Sequence, residues 1–344
     1  MNQQTKFALG AATGAAAAWA GALAFRTRHL IDFGGRTVVI TGGSRGLGLV
    51  LARQFAAQGA RVCLLARDTG ELQRALDQLV DQGSRNVDHV TIVPCDIRSR
   101  SSIRETIAFI LDERGAIDVL VNNAGIIQVG PLEHMTTEDF ENAMATHFWA
   151  PLHLMQECVP AMRRRGFGRI VNIASIGGRV AVPHLAPYSV SKFALVGLSD
   201  AVRAELAQYG IRVTTVSPGL MRTGSPINAQ IKGRHEAEFT LFAIADAIPG
   251  VSMSAERAAR RIVDACRFGD PELTIGVTAR AAVAFNALAP TVFAELMALT
   301  ARVLPGPVGP EGDESRTGRE SQTRWAPSLL TGLSDRAAAR NNEI

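Results

Sequence analysis

The chain has 344 residues, of which 47% are hydrophobic and 20% charged, so it carries enough apolar side chains for a sizeable core and is not disordered as a whole. Its formal net charge is only +4 and its arginines are spread along the sequence, which argues against nucleic-acid binding. The four cysteines form no C-x-x-C pair and the seven histidines have no metal-ligand spacing, so we predict reduced cysteines and no metal site.

Near the N-terminus, residues 7–25 form an apolar segment without a single charge. As a helix it would extend about 28 Å, nearly the thickness of the hydrocarbon core of a bilayer. Arg26 and Arg28 follow it and only Lys6 precedes it, which favours a cytoplasmic location for the rest of the chain. We therefore predict a membrane anchor over residues 1–30 and a cytoplasmic catalytic domain. A cleaved signal peptide is the alternative.

Seven short runs rich in β-branched residues follow, and segments with helical patterning separate them. The runs are continuously apolar, which is typical of parallel strands covered by helices on both faces. We predict an α/β fold over residues 31–280: a Rossmann-type, doubly wound, parallel seven-stranded sheet with helices on both faces. The predicted strands are residues 37–40, 61–65, 90–93, 118–121, 169–173, 212–216 and 273–277.

A glycine-rich turn, TGGSRGLG, follows the first predicted strand and opens a helix. Its glycines allow a tight turn, and they let the backbone approach a pyrophosphate at the N-terminus of the helix. The strand, turn and helix together predict a dinucleotide site. The cofactor-binding residues predicted in this turn are Gly42, Ser44, Arg45, Gly46, Leu47 and Gly48.

The end of the second predicted strand indicates which dinucleotide binds. NAD-binding folds place an acidic residue there to accept hydrogen bonds from the free 2′-hydroxyl, whereas this sequence has Arg67. Arg67 and Arg45 offer guanidinium donors to the 2′-phosphate of NADP, so we predict NADP(H). The alternative is a surface ion pair of Arg67 with Asp68 or Glu71, which would select no cofactor.

The segment YSVSK places Tyr188 and Lys192 one helical turn apart on the same face. A tyrosine is a poor proton donor and acceptor at neutral pH, and we expect the neighbouring ammonium to lower its pKa. Ser175, just after the fifth predicted strand, could donate a hydrogen bond to a substrate oxygen where charge develops. The three side chains together predict a catalytic group for proton transfer.

Two further segments follow the predicted sheet. Residues 281–304 are apolar but interrupted by Asn286, Pro290 and Glu295, which does not suit a bilayer-spanning helix. We predict helices that cover the core or an oligomer interface, with membrane docking as the alternative. Residues 305–344 have mixed charge and little apolar content, so we predict a flexible tail.

Taken in order, these motifs resemble the short-chain dehydrogenase/reductase family over about residues 36–276, in a branch that prefers NADP. The resemblance rests on the glycine turn, on Asp96, on the NNAG segment that begins at Asn122, on Ser175 with YSVSK, and on Pro218-Gly219 with Thr223. It implies that Tyr188 exchanges a proton with the substrate oxygen as hydride moves, and that Lys192 also holds the nicotinamide ribose. The other cofactor-binding residues that it implies are Asp96, Ile97, Asn123, Ala124, Gly125, Pro218, Gly219 and Thr223.

The sequence departs from the family at His147, where members usually carry an asparagine whose backbone carbonyl holds a water that links the lysine to solvent. Either His147 preserves that role in catalysis or the proton relay is altered. We predict an NADP(H)-dependent oxidoreductase that interconverts a carbonyl and an alcohol. An NADP(H)-binding protein with little or no turnover is the alternative.

The partner is expected to be a small carbonyl or alcohol compound, and the apolar residues within 224–250 suggest a lipophilic one. The resemblance also implies a homodimer or homotetramer. No nucleic-acid partner is expected.

Overall fold

The computed structural model describes residue 21 and residues 26–81, 89–328 and 331–344. Of the anchor predicted over residues 1–30, only Gly21 and residues 26–30 lie within the described residues. Within the part of the chain that is described, every helix is too short or too polar to cross a bilayer.

The central element is a seven-stranded sheet, and all its strand pairs are parallel. This confirms the predicted doubly wound α/β fold. The spatial order is β7-β6-β5-β4-β1-β2-β3. The strands are β1 Thr37–Thr41, β2 Arg61–Ala66, β3 Val90–Pro94, β4 Val119–Asn122, β5 Gly168–Ile173, β6 Ile211–Pro218 and β7 Glu272–Ile275.

Helices connect the strands and flank the sheet on both faces. The helices are α1 Gly46–Ala56, α2 Thr69–Asp81, α3 Arg100–Arg114, α4 Thr137–Met144, α5 Ala150–Arg165, α6 Ala186–Leu206, α7 His235–Ala247, α8 Ala255–Phe268, α9 Val277–Leu288, α10 Pro290–Ala301 and α11 Gly332–Arg340. A π-helical turn, Ala145–Trp149, joins α4 to α5.

The two faces of the sheet have separate cores, which explains why the strand sequences are continuously apolar. Val38 and Ile40 of β1 pack into a core with α1 and α8, whereas Val39 packs into a second core with α3 and α5. Consecutive side chains of a strand point to opposite faces, so both sets of positions must be apolar when both faces are covered.

The site lies where the strand order reverses. β1 has β4 on one side and β2 on the other, so the connections that leave β1 and β4 diverge at their carboxyl ends. A crevice for a ligand forms at such a switch point. The glycine turn follows β1, Asn123 follows β4, and Ser175 follows β5 at the same edge.

The two predicted apolar helices are present as α9 and α10, but they do not cover the core. Among their side chains only Ala279 and Phe293 are buried, and Val277 and Leu288 are more than four-fifths exposed. Their apolar surface faces outward, which leaves an oligomer interface or membrane docking as the open interpretations.

The C-terminal segment differs from the flexible tail predicted over residues 305–344. Its short strand Arg316–Thr317 pairs with Gln230–Ile231, and α11 packs on α7, where the Ser334 hydroxyl donates to Asp246 at 2.8 Å. The polar composition of the segment predicts flexibility, but its polar groups form hydrogen bonds with residues that are distant in the sequence. The prediction is corrected accordingly: this segment covers residues 224–250.

Candidate active site

The glycine turn after β1 and the loop after β4 are joined by hydrogen bonds. Asn123 Nδ2 donates to the carbonyl oxygens of Thr41 at 3.0 Å and Gly42 at 3.2 Å. The Thr41 hydroxyl accepts from the backbone N–H groups of Asn123 and Ala124. A Cβ on Gly42, whose φ is 62°, would lie 2.9 Å from Ala124 Cα, so only glycine permits this contact. The two loops therefore hold one fixed arrangement.

Tyr188 and Lys192 project from α6 toward Ser175. The Ser175 hydroxyl accepts from the backbone N–H of Gly177 at 3.1 Å, and it lies close enough to the phenol to lower its pKa. Lys192 Nζ donates to the carbonyl oxygen of Ile173 at 2.8 Å and lies 5.6 Å from the centre of the Tyr188 ring. The three predicted catalytic side chains are thus brought together by α6 and the end of β5.

Burial dominates the electrostatics of this group. It lowers the pKa of Lys192 to about 7, because a buried ammonium is poorly solvated. Burial likewise raises the pKa of Tyr188, against the smaller opposite effect of the Ser175 hydrogen bond. The downward shift expected for Tyr188 is therefore not found. Because the pKa of Lys192 is about 7, this lysine is only partly protonated at neutral pH. Burial therefore remains the largest influence on the pKa of Tyr188.

His147 occupies the π-helical turn and is almost fully buried. Its Nε2 atom accepts a hydrogen bond from the backbone N–H of Ile126 at 3.1 Å, and Nδ1 lies 2.8 Å from the Ser191 hydroxyl. Because Nε2 is the acceptor, Nδ1 carries the proton and donates to Ser191, whose hydroxyl is 2.9 Å from the carbonyl oxygen of Tyr188. Burial, and then the charge of Lys192, lower the pKa of His147 well below its usual value.

The end of the crevice beside β2 is rich in charge. Arg45 pairs with Glu71 at 3.0 Å, and the Ser44 hydroxyl donates to the same carboxylate at 2.9 Å. Glu71, one of the two alternative partners considered for Arg67, is thus engaged by the glycine turn. Arg67 itself is exposed and borders the same crevice.

A cavity of about 780 Å³ connects the two ends of the site. It is lined by all but two of the predicted site residues. Those that line it are Gly42, Ser44, Arg45, Gly46, Leu47, Arg67, Asp96, Ile97, Asn123, Ala124, Gly125, Ser175, Tyr188, Lys192, Pro218, Gly219 and Thr223. Gly48 and His147 lie behind this lining layer, Gly48 within α1 and His147 against Ser191.

Residues 341–343 also contribute to the site, and no sequence motif predicted them. Glu343 lines the cavity, and the side chains of Asn341 and Asn342 bond to its walls. No local pattern marks these residues, since a polar run after a helix is typical of a chain end. Their position depends on contacts with residues about 300 positions away in the sequence, such as Ser44.

The sequence matches known proteins over most of its length. The family model for short chain dehydrogenases matches residues 36–232. A dehydrogenase/reductase SDR family protein 7-like protein of Anopheles gambiae is 34% identical over 272 residues, which cover 78% of this chain and 83% of that protein. A D-beta-hydroxybutyrate dehydrogenase of Rhizobium meliloti is 34% identical over 189 residues, or 55% of this chain and 72% of that protein.

The chain is also similar to solved structures of short-chain dehydrogenases and oxidoreductases. A short-chain dehydrogenase from Streptomyces avermitilis superimposes with a TM-score of 0.64 at 31% identity, covering 77% of this chain and 97% of that one. A metagenomic short-chain oxidoreductase in complex with NADP has a TM-score of 0.52 at 35% identity, covering 55% of this chain and 84% of that one.

Proposed function

The chain belongs to the short-chain dehydrogenase family and is an oxidoreductase, and on that premise we propose that it is an NADP(H)-dependent enzyme that reduces a carbonyl compound to an alcohol. One observation carries the proposal: Ser175, Tyr188 and Lys192 meet at one end of a cavity whose other end is bordered by Arg45 and Arg67.

The cavity suits an extended dinucleotide. Its volume of about 780 Å³ lies within the range of cofactor sites, and it passes along the N-terminus of α1, where backbone N–H groups favour an anion. Asp96 and Ile97 would hold the adenine, and Thr223 and Lys192 the nicotinamide end. When bound, the reduced cofactor supplies the hydride.

Tyr188 is the proposed proton donor. Its raised pKa keeps the phenol protonated at neutral pH, which suits reduction, where the substrate oxygen gains a proton. Ser175, which lines the cavity beside Tyr188, is placed to donate to the same oxygen as its charge develops. Lys192, in its ammonium form, stabilises the phenolate that Tyr188 becomes after the transfer.

The preference for NADP rests on charge. Arg67 is exposed at the end of β2, and Arg45 stands across the crevice mouth beside Glu71. A 2′-phosphate would compete with Glu71 for the Arg45 guanidinium and would find Arg67 unobstructed by that carboxylate. The free 2′-hydroxyl of NAD would meet two cations, neither of which accepts a hydrogen bond.

The proposed substrate is lipophilic, although part of the sequence argument for this no longer applies. Phe239 is one of the apolar residues within 224–250 from which a lipophilic substrate was predicted. It is buried in a cluster with Ala326 of the C-terminal segment. The apolar residues that line the cavity include Ile126, Ile127, Ile173, Ala174 and Met221. The proposal of an apolar substrate therefore rests on these cavity-lining residues.

The alternative function, dinucleotide binding without turnover, was motivated by His147. The π-helical turn and the two hydrogen bonds of its imidazole favour a residue that supports the site over one that disables it.

The experiment that separates the two mixes purified protein and NADPH with a panel of aldehydes, ketones and quinones that spans apolar and hydrophilic compounds. Oxidation of NADPH by apolar members, lost in Tyr188→Phe, supports the proposed enzyme. Binding of NADPH without oxidation by any compound supports the alternative. Turnover of hydrophilic sugars alone would contradict the lipophilic substrate.

A further inference from the structure

The last turn of the chain contributes three buried polar side chains to the cofactor cleft. We name residues 341–343 the C-terminal strap. Asn341, Asn342 and Glu343 are 0%, 5% and 7% exposed, although they directly follow α11 and lie beside the chain end. Buried polar groups require partners, and the partners of the strap lie in the two walls of the cavity.

One side of the strap is bonded to the glycine-turn wall. The backbone N–H of Gly46 donates to the carbonyl oxygen of Asn341 at 2.8 Å. Asn342 Nδ2 donates to the carbonyl oxygens of Ser44 at 2.9 Å and Glu71 at 3.1 Å, and its own Oδ1 accepts from Arg74 at 3.0 Å. This wall is the one that holds the phosphates in the proposed enzyme.

The other side of the strap is bonded to the wall formed after β6. Asn341 Nδ2 donates to the carbonyl oxygen of Thr223 at 3.3 Å. Asn228 Nδ2 donates to the Glu343 side chain at 2.7 Å and to its backbone carbonyl at 3.0 Å. Asn341 therefore connects Gly46 to Thr223, and the strap crosses the cleft between the glycine turn and the loop of the proposed nicotinamide end.

The carboxylate of Glu343 lies against Gly46. Its Oε1 atom fills the position that a Cβ on Gly46 would occupy, and Arg45 Nε is 3.5 Å from Oε2. In dinucleotide-binding folds this second glycine leaves its backbone open so that the pyrophosphate can approach. The strap thus covers the middle of the cavity, between the adenosine end and Tyr188.

Packing alone does not account for this arrangement. The strap consists of buried polar side chains, and it places a carboxylate where burial raises its pKa to about 7. Transferring such a group from water is unfavourable, so a segment that served only to pack against the two walls would be expected to use apolar side chains.

Given the proposed function, we propose that the strap is an autoinhibitory segment of the dinucleotide site: it occupies the position of the pyrophosphate beside Gly46 and must be displaced before the cofactor can bind. Asn341, Asn342 and Glu343 then hold the cofactor-free site closed. The cofactor enters only when the hydrogen bonds of the strap to Gly46, Ser44 and Thr223 are broken.

The test measures NADPH association and dissociation by stopped-flow fluorescence, with excess NADP⁺ to follow release. Two variants weaken the strap: deletion of residues 341–344, and Asn342→Ala in the full-length chain in case the deletion does not fold. Ile344→Ala is the matched control, because its side chain is exposed and lies just beyond the strap.

We expect the association rate constant to rise by about tenfold or more in the two strap variants, since fewer hydrogen bonds hold the strap in the pyrophosphate position, and to stay unchanged in the control. The release rate constant should not rise in any of these variants. Unchanged association in the strap variants would overturn the proposal. A rise of both rate constants would also overturn it, because the strap would then enclose the bound cofactor instead of competing with it for the pyrophosphate position. A wild-type protein that binds neither NADPH nor NADH would overturn the proposed function itself.

Discussion

His147 accepts a hydrogen bond from the backbone N–H of Ile126 at 3.1 Å, and this bond ties the loop after β4 to the π-helical turn before α5. Its other nitrogen reaches Ser191 on α6, one residue before Lys192. A single imidazole therefore joins a loop of the proposed cofactor site to the helix that carries the proposed catalytic residues.

Replacing His147 with alanine should weaken both activity and stability. The variant leaves the buried N–H of Ile126 without its acceptor and removes the donor to the Ser191 hydroxyl, which keeps its bond to the Tyr188 carbonyl oxygen, at a cost of about 1–3 kcal/mol in the free energy of unfolding. We expect kcat/KM for carbonyl reduction to fall about 10- to 100-fold, as the loop and α6 lose their connection. Steady-state kinetics and chemical denaturation measure the two effects. His147→Asn, which retains an acceptor, should recover most of the loss, and equal losses in the two variants would contradict this role.

The pH dependence of reduction should report the titration of Lys192. Its pKa is lowered to about 7 by burial, so the side chain is an ammonium below that pH and neutral above it. The ammonium stabilises the phenolate of Tyr188, and kcat/KM for reduction should therefore decline as the pH rises through about 7. Lys192→Arg keeps its charge throughout this range. We expect this variant to be slower than wild type, with a kcat/KM that does not change between pH 6 and pH 8. If kcat/KM of the variant still declines through pH 7, the decline in wild type belongs to a group other than Lys192.

Reversing the charge at Arg67 should change cofactor choice. Arg67→Asp removes a donor to the 2′-phosphate and supplies an acceptor for a free 2′-hydroxyl, so the ratio of kcat/KM for NADPH to that for NADH should fall about 10- to 100-fold. Arg104→Asp makes the same charge change on an exposed position of α3, outside the cavity lining, and should leave the ratio unaltered. Equal ratios in wild type and Arg67→Asp would remove the basis for NADP preference.

Asp246 should make folding less stable as the pH rises. Burial raises its pKa to about 7, and the Ser334 hydrogen bond opposes this only in part. The folded state holds the proton more tightly than the unfolded state, so the stabilisation is present at low pH and is lost as the pH rises through about 7. Between pH 5 and pH 8, the free energy of unfolding of Asp246→Asn should rise by on the order of 1–3 kcal/mol relative to that of wild type. Asp77→Asn, on an exposed position of α2, should gain nothing.

The sequence predicts the sheet well because its central strands, such as β1 and β4, are buried and apolar on both faces. The predicted run at residues 61–65 differs from the observed β2 by only one residue, and the glycine turn lies where the first strand ends. The sequence also predicts that Ser175, Tyr188 and Lys192 lie together. Ser175 follows a strand at the edge where parallel strands end, and Tyr188 and Lys192 are one turn apart on the helix that comes next. These features depend on short segments and are visible in one sequence.

What the sequence did not predict depends on burial and on distant contacts. The pKa of Tyr188 follows from how completely α6 and its neighbours exclude water, which spacing alone does not reveal. The contact between Asn342 and Ser44 joins residues at opposite ends of the chain, and nothing in the composition of either segment indicates it.

The central claim is that Tyr188 donates the proton to a carbonyl oxygen, and the most direct test compares Tyr188→Phe with wild type at saturating NADPH. The account predicts that kcat for carbonyl reduction falls about 10²- to 10⁴-fold while NADPH binds with unchanged affinity, because the phenylalanine keeps the ring and lacks only the hydroxyl. Reduction at the wild-type rate by Tyr188→Phe would contradict it.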